Sequence, residues 1–340
     1  MIYVTARNVH EALPEACLDF ANASVIRNSR NGKVRQMPGV FATEYRRPME
    51  RVVFQRQRDA NPFFHFFESL WMLAGRHDVE FPNQFCSDGM SRFSDNGKTL
   101  NGAYGWRWRT HFGYDQLTEI VENLQRNPEC RRQVLTMWDG RDDLLNRTSK
   151  DVPCNDMATF QICPAGNLDM VVFNRSNDLI WGAYGANAVH FSFLQEWMAM
   201  MIGVPVGIYT QVSANTHIYE QHWEMMQQLA DRAPDVISGE RPMSPYRGEI
   251  VEPFPIGHLI PSKAAWNTDL ENFFRFGRRS HDSFETAFFR DVVCPMWWAH
   301  DAFRQKDNPT RIEEALGEIE DCRASDWHLA CEEWLLRRKK

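Results

Sequence analysis

The sequence predicts an α+β protein, in which helices and strands are mixed without a regular strand–helix–strand rhythm. The first observation is a β-hairpin pattern, in which the apolar runs "MATFQIC" and "LDMVVFN" flank the turn "PAGN". The second is a pair of long apolar helical patterns, at residues 61–75 and 186–202, on either side of that hairpin.

Several elements are predicted before the hairpin. Residues 12–22 predict a short helix, and "NSRNGKVRQMPGV" after it predicts a loop. The segment "NPFFHFFESLWMLAG" predicts a helix with Asn61 as N-cap, Pro62 in the first turn and Gly75 as its stop. This helix is apolar nearly all round, so it should be buried, and Glu68 inside it is unexpected.

"YDQLTEIVENLQRNP" then predicts an amphipathic helix and "RQVLTMWD" a strand. After the hairpin, residues 186–202 predict a buried helix, 204–213 a strand and 217–230 another helix. The stretch 232–262 is rich in Pro and Gly and predicts a long irregular connection, followed by three helical stretches. We therefore expect a main domain over 1–262 and a helical extension over 263–340 packed on the same domain.

Composition narrows the class of protein. A chain of 340 residues with 12 Trp and 23 Phe can bury a sizeable core. Its net charge of −7 argues against broad nucleic-acid or membrane-surface binding, although a few arginines can still hold a small anion. None of the 8 cysteines shows the C-x₂-C spacing of a zinc site, and no secretory or membrane-spanning pattern is present. We expect a reduced, cytoplasmic protein, in the host cytoplasm if the gene is viral.

Cys154, in "DVPCNDMATFQICP", stands between turn-forming residues and a predicted strand. The position by itself fits a small buried hydrophobe as well as a nucleophile. Four polar clusters stand elsewhere, and each alone fits a solvated surface: "NSRNG", "NPECRRQV", "NRSND" and "NTHIYEQH". His217 and His222 are five residues apart, on different sides of the predicted helix, which argues against a metal pair.

Taken together, these segments resemble the folate-dependent thymidylate synthase family over roughly residues 28 to 222. The motifs that carry the resemblance are "SRNG", "FFESLWMLAG", "LNGAYGWRWR", "NPECRRQVLTMWD", "VPCNDMATFQ", "NRSNDLIWG", "ANAVHFSFLQEWMAM" and "ANTHIYEQH". The resemblance implies a thymidylate synthase-like α+β fold, with a large mixed β-sheet packed with helices and one sheet face forming a homodimer interface.

The resemblance also implies the chemistry. The substrate would be a pyrimidine deoxynucleotide monophosphate and the cofactor 5,10-methylenetetrahydrofolate. Cys154 matches the thiol that adds to ring carbon 6 and makes carbon 5 nucleophilic, and Arg175 is the expected source of positive charge beside it. Glu68 matches a buried carboxylate that handles protons, and Tyr104 matches the tyrosine near carbon 5.

The polar clusters match substrate-binding positions of the family. Arg30, Arg175 and Ser176 match phosphate contacts made within one subunit, where the guanidinium suits a dianion. Arg131 and Arg132 match a pair that reaches across from the partner subunit, which implies a homodimer.

The remaining matches concern the sugar and the base. His217 and Tyr219 match the pair that binds the sugar 3′-hydroxyl, and Asp178 matches a residue that organises the folate and pyrimidine contacts. Asn187 matches the base-reading amide, which can donate to a uracil carbonyl and accept from its ring N–H.

Three departures from the family concern the exclusion of water during the final hydride transfer. Met90 stands where the family has a tryptophan before the active-site tyrosine, and Asn155 replaces the histidine after the cysteine. The chain runs on to "WLLRRKK" instead of ending in a short apolar tail. If water captures the methylene, the product is a 5-hydroxymethyl nucleotide. The departures therefore resemble the hydroxymethylase branch, which some viruses use to make modified DNA precursors, and we expect a dUMP hydroxymethyltransferase.

The sequence leaves alternatives open. Asn187 favours dUMP as the substrate, because dCMP hydroxymethylases tend to carry an aspartate at that position. Matching Asn187 to the family's asparagine needs a one-residue insertion in "GAYGAN". Three other functions stay open. They are a thymidylate synthase with unusual water-excluding residues, a dCMP hydroxymethylase and a non-catalytic nucleotide-binding homologue. A cysteine hydrolase is a further one, but no oxyanion-hole loop or partner histidine can be identified for it.

Overall fold

The computed structural model describes residues 1–29, 31–86, 89–146, 148–233, 244–276 and 281–339. Its strands form two sheets packed with helices, so the α+β prediction is confirmed. The strands are β1 (Ile2–Ala6), β2 (Val25–Ser29), β3 (Gly32–Gln36), β4 (Phe41–Tyr45), β5 (Val134–Thr136), β6 (Asn155–Ile162), β7 (Leu168–Asn174), β8 (Asn177–Asp178), β9 (Val206–Ser213) and β10 (Thr216–Tyr219). The helices are α1 (Val9–Ala23), α2 (Pro62–Leu73), α3 (Tyr104–Trp106), α4 (Gln116–Arg126), α5 (Asp142–Leu145), α6 (Asn187–Ile202), α7 (Trp223–Ala230), α8 (Lys263–Phe276), α9 (Cys294–Arg304), α10 (Arg311–Glu320) and α11 (Ser325–Leu336).

The larger sheet has the order β1-β4-β9-β7-β6-β5 and mixes parallel with antiparallel pairs. Strands β6 and β7 form the predicted hairpin, with Phe160 opposite Met170. On one face their alternating apolar side chains are buried, as at Ala158 and Val172. Helix α6 packs against β7 and β9 and closes this side of the core.

No helix covers the opposite face of this sheet in the described part of the chain. Met157 lies opposite Phe173, which lies opposite Val212, so the registers align an apolar row across three strands. Met157 and Ile208 keep 37% and 38% of their surface exposed. We call this surface the open face; it consists of Val134, Met157, Val171, Phe173, Ile208 and Val212.

The smaller sheet has the order β2-β3-β10-β8 and corrects two sequence predictions. The predicted loop after α1 contains instead the strands β2 and β3, which pair with Ser29 opposite Gly32. Every residue of β2 is exposed, so the apolar alternation that signals a strand is missing there. The helix predicted from residue 217 begins only at Trp223, because residues 216–219 pair as a strand between β3 and β8.

Helix α2 forms as predicted. The Asn61 side chain accepts a hydrogen bond from the Phe64 N–H at 3.1 Å, Pro62 stands in the first turn, and Gly75 follows the helix with a φ of +69°. All its residues except Phe64 are buried, including Glu68. The helix that carries the predicted carboxylate is therefore fixed by the core on all sides.

Beyond residue 262 the described chain contains four helices of ten residues or more, where three helical stretches were predicted. Their aromatic side chains pack on α2. The ring centroids of Phe67 and Trp297 are 5.3 Å apart, and those of Phe66 and Trp327 are 5.2 Å apart. Among the described residues, no helix has the length and apolar content to cross a bilayer.

Candidate active site

Cys154 lies immediately before β6 and is partly exposed. Its carbonyl oxygen accepts a hydrogen bond from the Arg175 backbone N–H at 3.0 Å, which ties the start of β6 to the end of β7. The Arg175 side chain turns back over the cysteine loop. Its Nε donates to Pro153 O at 2.8 Å, and its Nη2 lies 3.9 Å from Cys154 Sγ. A fixed positive charge therefore stands beside the thiol.

Tyr104 lies on the other side of the cysteine loop. The Gly102 N–H donates to Asp151 Oδ2 at 2.7 Å, which joins the "GAYG" turn to the residues before Cys154. A Cβ on Gly105 would lie 2.0 Å from Met72 O, so only glycine lets this turn meet the end of α2. Burial raises the pKa of Tyr104 well above its usual value, the nearby Cys154 adds to this rise, and contacts with Asn155 oppose it. The phenol therefore stays protonated beside the thiol.

Three buried asparagine side chains next to Cys154 are linked by hydrogen bonds. Asn155 Nδ2 donates to Asn187 Oδ1 at 3.3 Å, and Asn187 Nδ2 donates to Asn177 Oδ1 at 3.0 Å. Asn177 Nδ2 in turn donates to Ser213 Oγ at 3.3 Å. Asn155 Oδ1 is buried and has no hydrogen-bond partner among the described residues. These contacts fix which way the Asn187 amide faces.

The insertion that the sequence comparison needs before Asn187 has a structural counterpart. Residues Leu179–Ala186 form a π-helical segment, with non-helical backbone at Tyr184 and Gly185. The Asn187 N–H bonds to Gly182 O, five residues earlier, so this turn holds one residue more than an α-helical turn. The extra residue is thereby absorbed before α6 begins.

Glu68 projects from α2 toward α6 and contacts a residue whose importance the sequence did not show. Its Oε2 lies 3.1 Å from Nε2 of His190, and both side chains are buried. By sequence alone His190 fits a core histidine on the predicted buried helix. The available signal was its position three residues after Asn187, which places both side chains on one face of α6.

Asp178 lies in β8, where its carboxylate accepts from the Trp181 N–H. Its other oxygen, Oδ2, is buried without a hydrogen-bond partner in the described part of the chain. Burial raises the pKa of Asp178 to about 6, with the backbone N–H of Trp181 and then the charge of Arg58 opposing the rise.

Arg58 and Trp181 lie beside Asp178 and form a wall of the site, which is the name used below for this pair. The sequence did not single out either residue. The Arg58 guanidinium is buried, donates to Ile180 O at 2.9 Å and stacks on the Trp181 ring at 4.0 Å. The Trp181 indole N–H donates to His222 Nε2 at 2.6 Å, although the ring keeps 49% of its surface exposed. A rigid aromatic surface thus borders the carboxylate.

The predicted sugar-binding pair lies on the adjacent strand. His217 and Tyr219 stand on the same face of β10 with ring centroids 5.1 Å apart, and His217 is paired with Asp178 in β8. Burial lowers the pKa of His217 below its usual value, which favours a neutral ring. Ser176 lies between β7 and β8, half-buried, next to Arg175.

The predicted arginine pair lies on the surface of the subunit. Arg131 and Arg132 are exposed and precede the edge strand β5, which borders the open face. Arg30 lies outside the described residues.

Similarity to known proteins identifies the family. The family profile described as Thymidylate synthase matches residues 26–239. The chain is 50% identical over 339 residues to the deoxyuridylate hydroxymethyltransferase of Pseudomonas phage M6, covering 100% of this chain and 95% of that protein. It is 40% identical over 200 residues to the deoxyuridylate hydroxymethyltransferase of Bacillus phage SP01, covering 56% of this chain and 51% of that protein. A third relative, the deoxyuridylate hydroxymethyltransferase of Delftia phage PhiW-14, is 26% identical over 236 residues, covering 67% and 60%.

The family profile covers well over half of the chain, and the first relative matches it along its whole length. The resemblance drawn from the motifs is confirmed, and the chain belongs to the thymidylate synthase family.

Proposed function

We propose that this protein is a deoxyuridylate hydroxymethyltransferase, which transfers a one-carbon unit to carbon 5 of dUMP and lets water complete the product, 5-hydroxymethyl-dUMP. The observation that carries this proposal is the full-length match, at 50% identity, to a phage protein of that name. The site is consistent with it, since a guanidinium lies beside the Cys154 thiol and the Asn187 amide is bonded to the next residue, Asn155. Phage relatives also fit a role in making modified DNA precursors.

Cys154 is the proposed nucleophile. Its thiolate adds to carbon 6 of the pyrimidine, and the ring becomes an enolate that is nucleophilic at carbon 5. Arg175 Nη2, at 3.9 Å from the sulfur, favours the thiolate over the thiol. Tyr104, held protonated by burial, remains a hydrogen-bond donor beside carbon 5.

Asn187 is the proposed reader of uracil. One hydrogen of its Nδ2 is used by Asn177 and one lone pair of its Oδ1 by Asn155. An amide has two donor hydrogens and two acceptor lone pairs, so one of each stays available for the base. Because the neighbours fix the amide's orientation, it offers a donor and an acceptor to uracil without reorganising.

The phosphate is assigned to Arg175 and Ser176 of one subunit, with Arg30 from the same chain. His217 and Tyr219 are assigned to the sugar hydroxyl. Arg131 and Arg132 complete the phosphate site of the partner in a homodimer. The open face supports this assembly, because an apolar row across three strands would be covered by a second copy, and both arginines border that face.

The residues beside Asp178 fit 5,10-methylenetetrahydrofolate. The unpartnered Asp178 Oδ2 suits the N–H donors of a pterin, and the half-exposed Trp181 ring offers it a flat apolar surface. When bound there, the folate supplies the one-carbon unit. Glu68 is assigned to proton transfer, and Asn155 to the amide chain that aligns the base. A cytoplasmic location, in the host cell if the gene is viral, is part of the same proposal.

The folate product tests this proposal against a thymidylate synthase. Water capture returns tetrahydrofolate, whereas hydride transfer oxidises the folate to dihydrofolate, which is followed by its absorbance. We expect dUMP consumption with no dihydrofolate signal. Stoichiometric dihydrofolate would assign the protein as a thymidylate synthase, and consumption of dCMP in preference to dUMP would assign it to the other base.

A further inference from the structure

His190 is a buried histidine whose ring nitrogens are not used by the fold. The residue is 2% exposed, and neither Nδ1 nor Nε2 has a hydrogen-bond partner among the described residues. Nε2 lies 3.1 Å from Glu68 Oε2, but without the alignment of a hydrogen bond. A buried imidazole left in this condition has a cost in stability, which indicates a use beyond packing.

The position of His190 joins it to the proposed active site. It follows Asn187 by three residues on α6, and Asn187 is bonded to Asn155, the neighbour of Cys154. Helix α6 packs against α2, which brings Glu68 to the ring. Both side chains are buried, so the contact between His190 and the carboxylate lies inside the protein.

Water capture needs a proton acceptor. The residue after the cysteine, Asn155, has a side-chain amide, which does not accept a proton near neutral pH. An imidazole does, and His190 is the imidazole that contacts the carboxylate assigned to proton transfer. The structure thus supplies from α6 a histidine that is missing after Cys154.

We propose that Glu68 and His190 act as one proton-accepting unit for the water that captures the methylene group. Glu68 faces the nucleotide, and His190 is the positioning residue that holds the carboxylate and shares the proton. This inference rests on the proposed hydroxymethyltransferase function.

Water capture consists of the addition of water to the covalent intermediate and the loss of the Cys154 thiolate. After tetrahydrofolate has left, the nucleotide carries an exocyclic methylene at carbon 5 and the Cys154 sulfur at carbon 6. The water oxygen bonds to the methylene carbon, the electron pair of its double bond moves into the ring as an enolate, and the water proton passes to Glu68. The enolate then restores the ring double bond and expels the Cys154 thiolate.

The test uses the variant His190→Gln. It measures water capture separately from the steps that precede it. Release of tritium from carbon 5 of labelled dUMP reports the earlier steps. An added thiol, 2-mercaptoethanol, competes with water for the methylene, so the ratio of hydroxymethyl to thioether product reports the capture. Both products come from the same folded molecules, and their ratio does not depend on how much protein is folded.

We expect His190→Gln to keep tritium release within a few-fold of wild type and to lower the ratio by about tenfold or more. The variant should still form a covalent complex with fluorinated dUMP and methylenetetrahydrofolate. The mass of the protein shows whether this complex has formed. The matched control is His65→Gln, a second buried histidine, whose ring centroid is 6.4 Å from that of His190. It should leave the ratio unchanged.

An unchanged product ratio in His190→Gln would overturn the inference and leave the proposed function standing. His190→Asn is measured in parallel, and failure of both variants to form the covalent complex would also overturn it, since His190 would then be needed for folding or an earlier step. A methylated nucleotide from the wild-type protein would instead overturn the proposed function, and the inference with it.

Discussion

The Arg175 guanidinium lies over the Cys154 thiol, with 3.9 Å between Nη2 and Sγ, and is held there by the carbonyl oxygens of Val152 and Pro153. The same arginine is bonded through its backbone to Cys154. Charge and thiol therefore keep their relationship as long as the ends of β6 and β7 stay paired. This contact is the part of the site that can be tested without any substrate.

Arg175→Gln should slow the alkylation of Cys154 by iodoacetamide at neutral pH roughly three- to tenfold, because a charge near the surface is partly screened by solvent. Peptide-resolved mass spectrometry gives the rate for each cysteine. Cys163, just after the other end of β6, is the internal control and should react at an unchanged rate. Equal slowing of both cysteines would indicate a general structural change and contradict the assigned role of Arg175.

Asn187→Asp should lower kcat/KM for dUMP about 10- to 100-fold, since a carboxylate cannot donate to the uracil carbonyl or to Asn177. Relative activity with dCMP should rise, because cytosine presents an amino donor. Competition between the two nucleotides in one reaction, resolved by mass, gives the preference directly. Asn155→Asp is the comparison variant. An undiminished preference for dUMP in Asn187→Asp would remove that residue from base reading.

Subunit mixing tests the arginines assigned to the partner site. Cys154→Ala and the double variant Arg131→Gln/Arg132→Gln should each have little activity alone. In a mixed dimer, one site combines an intact Cys154 with intact arginines from the other subunit. After complete subunit exchange of equal amounts, about a quarter of wild-type activity should appear. No recovery, despite mixed dimers seen by native mass spectrometry, would show that the arginines serve their own subunit.

Asp59 lies shortly before α2 and forms ion pairs with two arginines that directly follow α11. Arg337 Nε and Arg338 Nη2 lie 3.0 Å and 2.8 Å from its carboxylate oxygens. Partial burial raises the pKa of Asp59, but the hydrogen bonds from Arg338 and Arg337 outweigh it and lower the pKa. These ion pairs therefore stabilise the fold above the unfolded pKa of about 3.9, and the stabilisation is lost as the pH falls through the lower folded value.

Asp59→Asn should thus lower the free energy of unfolding by up to about 1 kcal/mol at neutral pH, because the pair is only partly buried. That corresponds to a fall in Tm of about 1–2 °C in a chain of this size. The difference from wild type should vanish once the pH is below the lowered folded pKa of Asp59. Asp282→Asn, at a side chain with 95% exposure, is the control and should change little. A difference that persists in acid would mean that the carboxylate charge is not the cause.

The helix and the hairpin that carry the candidate residues were predictable because their local signals are strong. Asn61, Pro62 and Gly75 bound α2 as the capping rules indicate, and the apolar residues on nearly all its sides predicted that Glu68 is buried. The hairpin that carries Cys154 and Arg175 at neighbouring strand ends was equally clear from its alternation and turn.

The errors and omissions have physical causes. Strand β2 is wholly exposed, so no apolar pattern marked it. The pairing of β10 with β3 and β8 overrode the helix predicted at residues 217–219. The contact between His190 and Glu68 joins two helices far apart in the chain, and spacing within either helix could not show it. The wall of Arg58 and Trp181 depends in the same way on tertiary packing.

The most direct test of the account is the nucleotide formed from dUMP and methylenetetrahydrofolate in isotopically labelled water. The account predicts a product heavier than dUMP by CH₂O, with the labelled oxygen in the added group, and no product from Cys154→Ala. A product heavier by CH₂ alone, or a hydroxymethyl group that carries no label, would contradict it.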